Sequence, residues 1–393
     1  MAEVAAQRRP RDRKEQIVAA AARHFAQRGF HDAFVADIAA EVGITASALY
    51  RHFAGKAELL VAAIELELAQ LEEAYAAGGP LDAVLDRAAG VLLRPRRTPS
   101  LWQRNEQLLA PEVRVVLAQR YDVATAALRD ALRAARPDLG EADVVLLAAA
   151  AHDLLDSARA YERAKVEPAR ARGLMVAAAS AVAALPAVLA DAAPVLEEAS
   201  PGMLPASRRQ AALSAAVRLF AERGFEAVGM DDIGAAAGIT GPTLYHHFPG
   251  KSAILVEVIM RCLDAMSFDL AAVLAGTDDP ALALDGALAS FVRINVAQRD
   301  ALTPLFTEIG NVRPEERAPI RRAQQDYVHE WAVLLAAARD DLTTAEAQAL
   351  VRSTQTVVSA MRRRLPLSAP AQRAVLHRAG RAVLGLPGDS PRD

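Results

Sequence analysis

At 393 residues, 53% hydrophobic and 24% charged, the chain is too long for one ordinary core and too apolar to be disordered. Its net charge of −3 excludes a polycation, so any nucleic-acid surface must be local. A single cysteine, Cys262, excludes an internal disulfide and a thiolate-rich zinc site, and fits a reducing cytoplasm.

The chain opens on a polar, basic stretch with no apolar segment behind it, so no secretory signal is expected. Arg8 to Lys14 reads either as a solvated terminus or as a basic arm beside DNA. From Lys14 to Gln27, Ile17, Val18, Ala21, Ala22, Phe25 and Ala26 recur at helical spacing, and Arg28-Gly29-Phe30 supplies a stop. Val35 to Val42 predicts a second, short helix ended by Gly43. Thr45 is placed to cap a third over Ala46 to Phe53, and Gly55-Lys56 opens a fourth that runs to about Tyr75. On the third helix Leu49 and Phe53 face inward, which leaves Thr45, Ala46, Ser47, Tyr50 and Arg51 outward. Helix, short helix, glycine turn and capped short helix make the helix-turn-helix arrangement.

Further helices are expected over Leu81–Leu93, Leu101–Leu109, Pro111–Ala135, Glu141–Lys165 and Pro168–Ala190, punctuated by prolines and glycines. The apolar run Leu174 to Ala190 is mostly alanine and is broken by Ser180 and Pro186, which predicts a buried helix and no membrane span. Residues 192–206, with three prolines and a glycine, read as a linker. Then the order restarts. Thr240 to Lys251 repeats Thr45 to Lys56 with Leu, Tyr, His, Phe, Gly and Lys in the same places, 195 positions on. Arg339-Asp340-Asp341-Leu342 likewise echoes Arg136-Pro137-Asp138-Leu139. Helices near Ala281–Gln298, Glu315–Ala338, Thr343–Arg364 and Pro370–Leu384 complete the second copy, and a loose tail follows from Pro387.

The segments from Phe25 (FAQRGF…DIAAEVGITASALYRHFAGK) and from Phe220 (FAERGF…DIGAAAGITGPTLYHHFPGK) resemble the N-terminal domain of TetR/AcrR-family transcriptional regulators. The chain as a whole resembles the tandem members that carry two complete copies. The resemblance implies an all-α fold of two halves, each a helix-turn-helix domain followed by a helical ligand-binding and dimerisation domain. The boundaries expected are 11–58 and 59–191 for the first half, 192–206 for the linker, and 207–253 and 254–386 for the second. In that family the last helices of each half form a four-helix dimer interface. Here the two halves are expected to pair within one chain as a pseudo-dimer, with further self-association left open.

The resemblance also implies roles at matching positions. Thr45, Tyr50, His52 and Lys56, with Thr240, Tyr245, His247 and Lys251, would hold DNA phosphates. Ala46, Ser47 and Arg51, with Gly241, Thr243 and His246, would face base edges. Only four lysines occur, at 14, 56, 165 and 251. That Lys56 and Lys251 fall on equivalent positions points either to a site that wants a compact charge or to inheritance by duplication. Family members often carry threonine and a basic residue at the start of the second helix, where this chain has Phe34-Val35-Ala36 and Gly229-Met230-Asp231.

For a small effector, lipid-like or otherwise apolar, the candidates are Trp102, Tyr121, His152 and Asp156, with Arg159 on the same face, and in the second half Phe291, Asn295, Phe306 and Gln355. Each reads equally as a satisfied core group. No catalytic constellation or third metal ligand accompanies His152 and Asp156, so neither an enzyme nor a cofactor is expected. The expected function is a cytoplasmic, ligand-released repressor whose two unlike heads read an asymmetric operator in double-stranded DNA. The alternative is one DNA-competent head with the other serving as scaffold.

Overall fold

The computed structural model describes residues 10–30, 32–94, 101–105, 108–189, 205–225, 227–297, 312 and 314–386. All regular structure among them is helical. The candidate Phe306, Arg8 and Arg9 of the basic arm, and most of the linker lie outside the described residues.

The first helices are α1 (Pro10–Arg28), α2 (Val35–Glu41), α3 (Ala46–Leu49) and α4 (Lys56–Tyr75). Next come α5 (Leu81–Leu92), α6 (Trp102–Asn105), α7 (Pro111–Ala135), α8 (Glu141–Asp156), α9 (Ala158–Arg163) and α10 (Pro168–Ala183). The second half has α11 (Arg208–Arg223), α12 (Met230–Ala237), α13 (Gly241–His247), α14 (Lys251–Ala275), α15 (Pro280–Ala297), α16 (Arg317–Ala338), α17 (Thr344–Arg364) and α18 (Ala369–Leu384). A 3-10 turn at Pro314–Glu316 leads into α16.

Two compact units result. One comprises Met1–Gly78 with Val91–Ala127, the other Gly79–Gly90 with Leu128–Asp393. In the first unit α1 packs on α2 and α4 through Ile17, Ala21 and Phe25, all at most 2% exposed. Glu67 is buried there, and its carboxylate takes the N–H groups of Leu101 and Trp102 at 2.7 and 3.0 Å, satisfying the open end of α6.

In the second unit α16 and α17 pack on α15 around Trp331, which meets Phe291 edge-on at 5.9 Å. Helix α17 starts on a capping box, with Glu346 N–H donating to the Thr343 hydroxyl and Thr343 N–H to the Glu346 carboxylate. Helix α8 packs on α10 and α17, α9 on α17, and α10 on α18, so helices from both halves share one interface within this unit. Helix α15, with a mean hydropathy of 1.2, is long and apolar enough to cross a membrane. Half of it is buried, and it packs on α14, α16, α17 and α18.

Several boundaries differ from expectation for local reasons. Helix α3 ends at Leu49, because beyond it tighter bonds take over, His52 N–H reaching Leu49 O at 2.8 Å. Helix α6 covers only Trp102–Asn105 of the expected Leu101–Leu109. The expected helix Glu141–Lys165 is split at Ser157, whose hydroxyl donates to Leu154 O and lies 2.7 Å from the Ser353 hydroxyl. Arg159 therefore sits on α9, not on one continuous face with His152 and Asp156. Lys165, with a φ of 57°, closes α9. Helix α10 stops at Ala183, ahead of Pro186, and Arg136 takes the carbonyls of Ala183 and Leu185, both at 3.0 Å.

Candidate nucleic-acid interface

Each head is built from the same inward residues. Leu49 and Phe53 in the first and Leu244 and Phe248 in the second are at most 2% exposed and fix which face of the short helix looks out. The turn before that helix needs a left-handed residue, which Gly43 supplies at φ 68° and Gly238 at φ 66°. Thr45, Ser47, Tyr50, Arg51 and His52 are exposed, as are Thr240, Tyr245 and His246, while Ala46, Gly241, Thr243 and His247 are half-buried. Tyr50 and Tyr245 are 51% and 55% exposed. Large aromatic rings held in water at equivalent positions stabilise neither core, and their phenols suit phosphate oxygens. The structure thus places the expected DNA-facing residues of each head on the short helix and its flanks, exposed or half-buried.

Two cation–aromatic pairs recur 195 positions apart. Lys14 stands 5.3 Å from the centre of the Phe53 ring, and Arg209 stands 4.9 Å from that of Phe248. Lys56 lies 4.8 Å above Phe30, and Lys251 4.5 Å above Phe225, whose carbonyl also accepts from the Lys251 ammonium at 3.0 Å. Burial pulls the Lys56 ammonium below its ordinary range against the opposing effect of Asp32. Both half-buried lysines therefore clamp the Arg-Gly-Phe turn to the start of the next long helix. Sequence reasoning treated Phe30 and Phe225 only as hydrophobic stops. Their spacing to the lysines, 26 positions in each copy, was the available signal.

The heads differ in their bracing. In the first, the Thr45 hydroxyl caps α3 by accepting from Ala48 N–H at 3.2 Å. In the second, the Thr240 hydroxyl meets the Thr243 hydroxyl at 2.9 Å and caps nothing. Glu41 of the first head accepts from Arg23 at 3.2 Å through Nε and meets His24 Nε2 at 2.7 Å. The bond from Arg23, and secondarily that from His24, holds the Glu41 carboxyl below the ordinary glutamate range. Ala236 stands at that position in the second head and offers nothing comparable. Glu58 likewise accepts from Ala54 N–H, whereas Ala253 and Pro249 have neither the acceptor nor the donor. The ion pair Arg28–Asp37 does recur, loosened, as Arg223–Asp232 at 3.8 Å. Asp232 also accepts from Gly229 N–H at 2.8 Å, so it is spent on the start of α12.

Among the effector candidates, Trp102 is buried and Tyr121 half-buried in the first unit, while His152 is buried and Asp156 half-buried in the second. In the second half Phe291 and Asn295 lie one turn apart on α15, at 1% and 0% exposure. Asn295 Nδ2 donates to Ser359 at 3.1 Å, Gln355 lies one turn before Ser359 on α17, and Trp331 packs against Phe291. Asn295 Oδ1 and Gln355 Nε2 are buried without a hydrogen-bond partner. Trp331 was not singled out from the sequence. Its place opposite Phe291 depends on helix pairing that periodicity does not specify.

The family model described as "Bacterial regulatory proteins, tetR family" matches twice, over residues 17–63 and 212–258. The HTH-type transcriptional repressor KstR2 of Mycolicibacterium smegmatis is 45% identical over 60 residues, 15% of this chain and 29% of that protein. The HTH-type transcriptional activator FasR of the same organism is 36% identical over 84 residues, 21% of this chain and 38% of that protein. KstR2 of Mycobacterium tuberculosis is 33% identical over 123 residues, 28% and 62% of the two chains. Its solved structure, described as a ketosteroid transcriptional regulator, matches with a TM-score of 0.40 and 25% identity over 46% of this chain and 95% of that one. The matched stretches thus span from under a third to under two thirds of these curated relatives. Both matches to the family model cover a head of the same build, so the chain carries two copies, in tandem, of the domain that the tetR-family model describes.

Proposed function

We propose that the chain is a ligand-responsive DNA-binding transcription regulator in which both heads read one operator made of unlike half-sites. The observation that carries this is the contrast between the heads. Their phosphate-facing residues match, Thr45 with Thr240, Tyr50 with Tyr245, His52 with His247 and Lys56 with Lys251, while the base-facing ones do not. Arg51 can hold guanine O6 and N7 through two bonds, which His246 cannot. Ser47 gives way to Pro242 and Ala48 to Thr243. Such heads share a way of gripping the backbone and differ in the sequence they prefer.

Pairing of the two halves through α8, α9, α10, α17 and α18 supports a single chain acting where a two-chain dimer otherwise would, in the cytoplasm. The reading as a repressor follows the KstR2 relatives. FasR is an activator, and a reporter placed behind the operator separates the two signs. The buried, unpaired Asn295 Oδ1 and Gln355 Nε2 beside Phe291 support an effector with an apolar body and one polar handle, since a ligand would relieve the cost of leaving those atoms unsatisfied.

Tyr50→Ala and Tyr245→Ala, made one at a time and footprinted, test the main claim. Loss of protection from each change, on opposite halves of a non-palindromic site, is the expected result. The acidic start of α12, Asp231 and Asp232, favours the rival in which the second head is scaffold. Loss from Tyr50→Ala alone would establish that rival, and equal protection of a perfect palindrome would sink the asymmetry.

A further inference from the structure

Helices α8 and α17 begin 203 positions apart, at Glu141 and Thr344, and so do Arg136 and Arg339 before them. Each residue on one helix therefore has a counterpart on the other. Asp153 on α8 is 5% exposed, and both arms of the Arg364 guanidinium on α17 reach its carboxylate, one at 3.3 Å. The counterparts of this pair are Thr356 and Tyr161, neither charged. Ser157 and Ser353 meet hydroxyl to hydroxyl at 2.7 Å, and their counterparts, Ala360 and Ala150, have no hydroxyl. Arg170 on α10 donates to Glu346 at 2.8 Å. The counterpart of Glu346 is Asp143, whose carboxylate instead takes Val188 and Leu189 N–H at 2.8 and 2.9 Å. These three polar contacts stand on one side of the pairing only.

We propose that this interface selects its partner: the α8–α10 surface of a first half accepts a second half and rejects another first half. The proposal rests on the pairing of halves described above. Two first halves joined in the same way would set each Asp153 against a Tyr161, so both buried carboxylates would lose the Arg364 guanidinium. Two second halves would set Arg364 against Thr356. Only the unlike pairing sets the Arg364 guanidinium against Asp153. Removing one partner of a buried pair shifts an equilibrium by a factor on the order of 100, enough to keep chains from exchanging into like-with-like assemblies.

The test uses the full chain, unfolded and refolded over a range of concentrations, with molar mass read by light scattering. The wild type should return as single chains. Asp153→Asn, which keeps the shape and removes the charge, should raise the multi-chain fraction at least tenfold. Arg364→Asp should lower the thermal midpoint, and Asp153→Arg with Arg364→Asp should restore both mass and midpoint. An unchanged mass for Asp153→Asn, or no recovery in the exchanged pair, overturns the proposal; if Arg364→Asp does not fold, those two measurements still decide. Ser157→Cys with Ser353→Cys in a Cys262→Ser background separates the two claims. A disulfide within one chain alongside silent charge variants would overturn the selection alone, whereas failure to cross-link would overturn the pairing and the selection with it.

Discussion

The two heads share a scaffold and differ in how tightly it is braced. Both bury the same leucine and phenylalanine on the outward helix, both turn on a left-handed glycine, and both clamp the Arg-Gly-Phe turn under a lysine. The first adds a threonine cap, the Glu41 brace to Arg23 and His24, and a bond from Ala54 N–H to Glu58. The second has none of the three; there Lys251 donates to the Phe225 carbonyl and Asp232 holds the start of α12. What the fold requires has therefore been kept in both copies. What merely stiffens a head, or faces outward on its short helix, differs between them.

The largest effect should appear at the reading face. Arg51→Ala should cost about 1–3 kcal/mol of discrimination at one half-site and relax its base preference, while His246→Ala should leave the other half-site's guanine preference unchanged. Selection of binding sites from a randomised pool by each variant checks this, and equal effects would erase the contrast between the heads. Next comes the clamp. Lys56→Ala and Lys251→Ala each remove the cation that sits over the turn's phenylalanine, and each should cost its head roughly 2 kcal/mol. Urea unfolding followed by a probe in each head checks this, and an unchanged midpoint for either variant would remove the clamp from that head.

Smaller still is the cap. Thr45→Ala should destabilise the first head by about 1 kcal/mol, and Thr240→Ala by only a few tenths, because no helix N–H depends on the second hydroxyl. Amide exchange at Ala48 and Thr243 reports the difference directly. The smallest effect is a pH dependence. Because the folded state holds the Glu41 carboxyl below its ordinary value, its contribution is fully present above about pH 4.5 and fades as pH falls through the depressed value. Half-exposed and screened, it amounts to ~0.5 kcal/mol. Glu41→Ala should flatten the acid limb of the first head's stability and leave that of the second as it was.

Much of this was legible from residue order. The duplication, the inward Leu49 and Phe53, the cap at Thr45 and the start of α4 all follow from short-range patterns, and all stand in the structure. Thr240, at the equivalent position in the second copy, caps nothing. It fails because Thr243, where the first copy has alanine, offers a nearer hydroxyl. The break at Ser157 was invisible because the second partner of its hydroxyl lies 196 positions away. The same holds for Trp331 beside Phe291 and for Arg364 on Asp153, which are products of packing between helices. The lysine clamp lay between these extremes: the scarcity of lysine marked the positions, and only the fold showed the rings beneath them.

Arg136 and Arg339 show what duplication within one chain permits. Each forks onto the aspartate two residues on and takes carbonyls at the end of its half's last helix, so each half closes with its own clasp. In an assembly of two identical chains every mutation appears twice, and both reading surfaces change together. Here the clasp is encoded twice but the outward residues of the two heads are encoded separately, so if both heads read DNA as proposed, a single nucleotide change would retune one half-site and leave the other as a foothold. An operator can then drift one half at a time with its regulator following, a path closed to a symmetric pair.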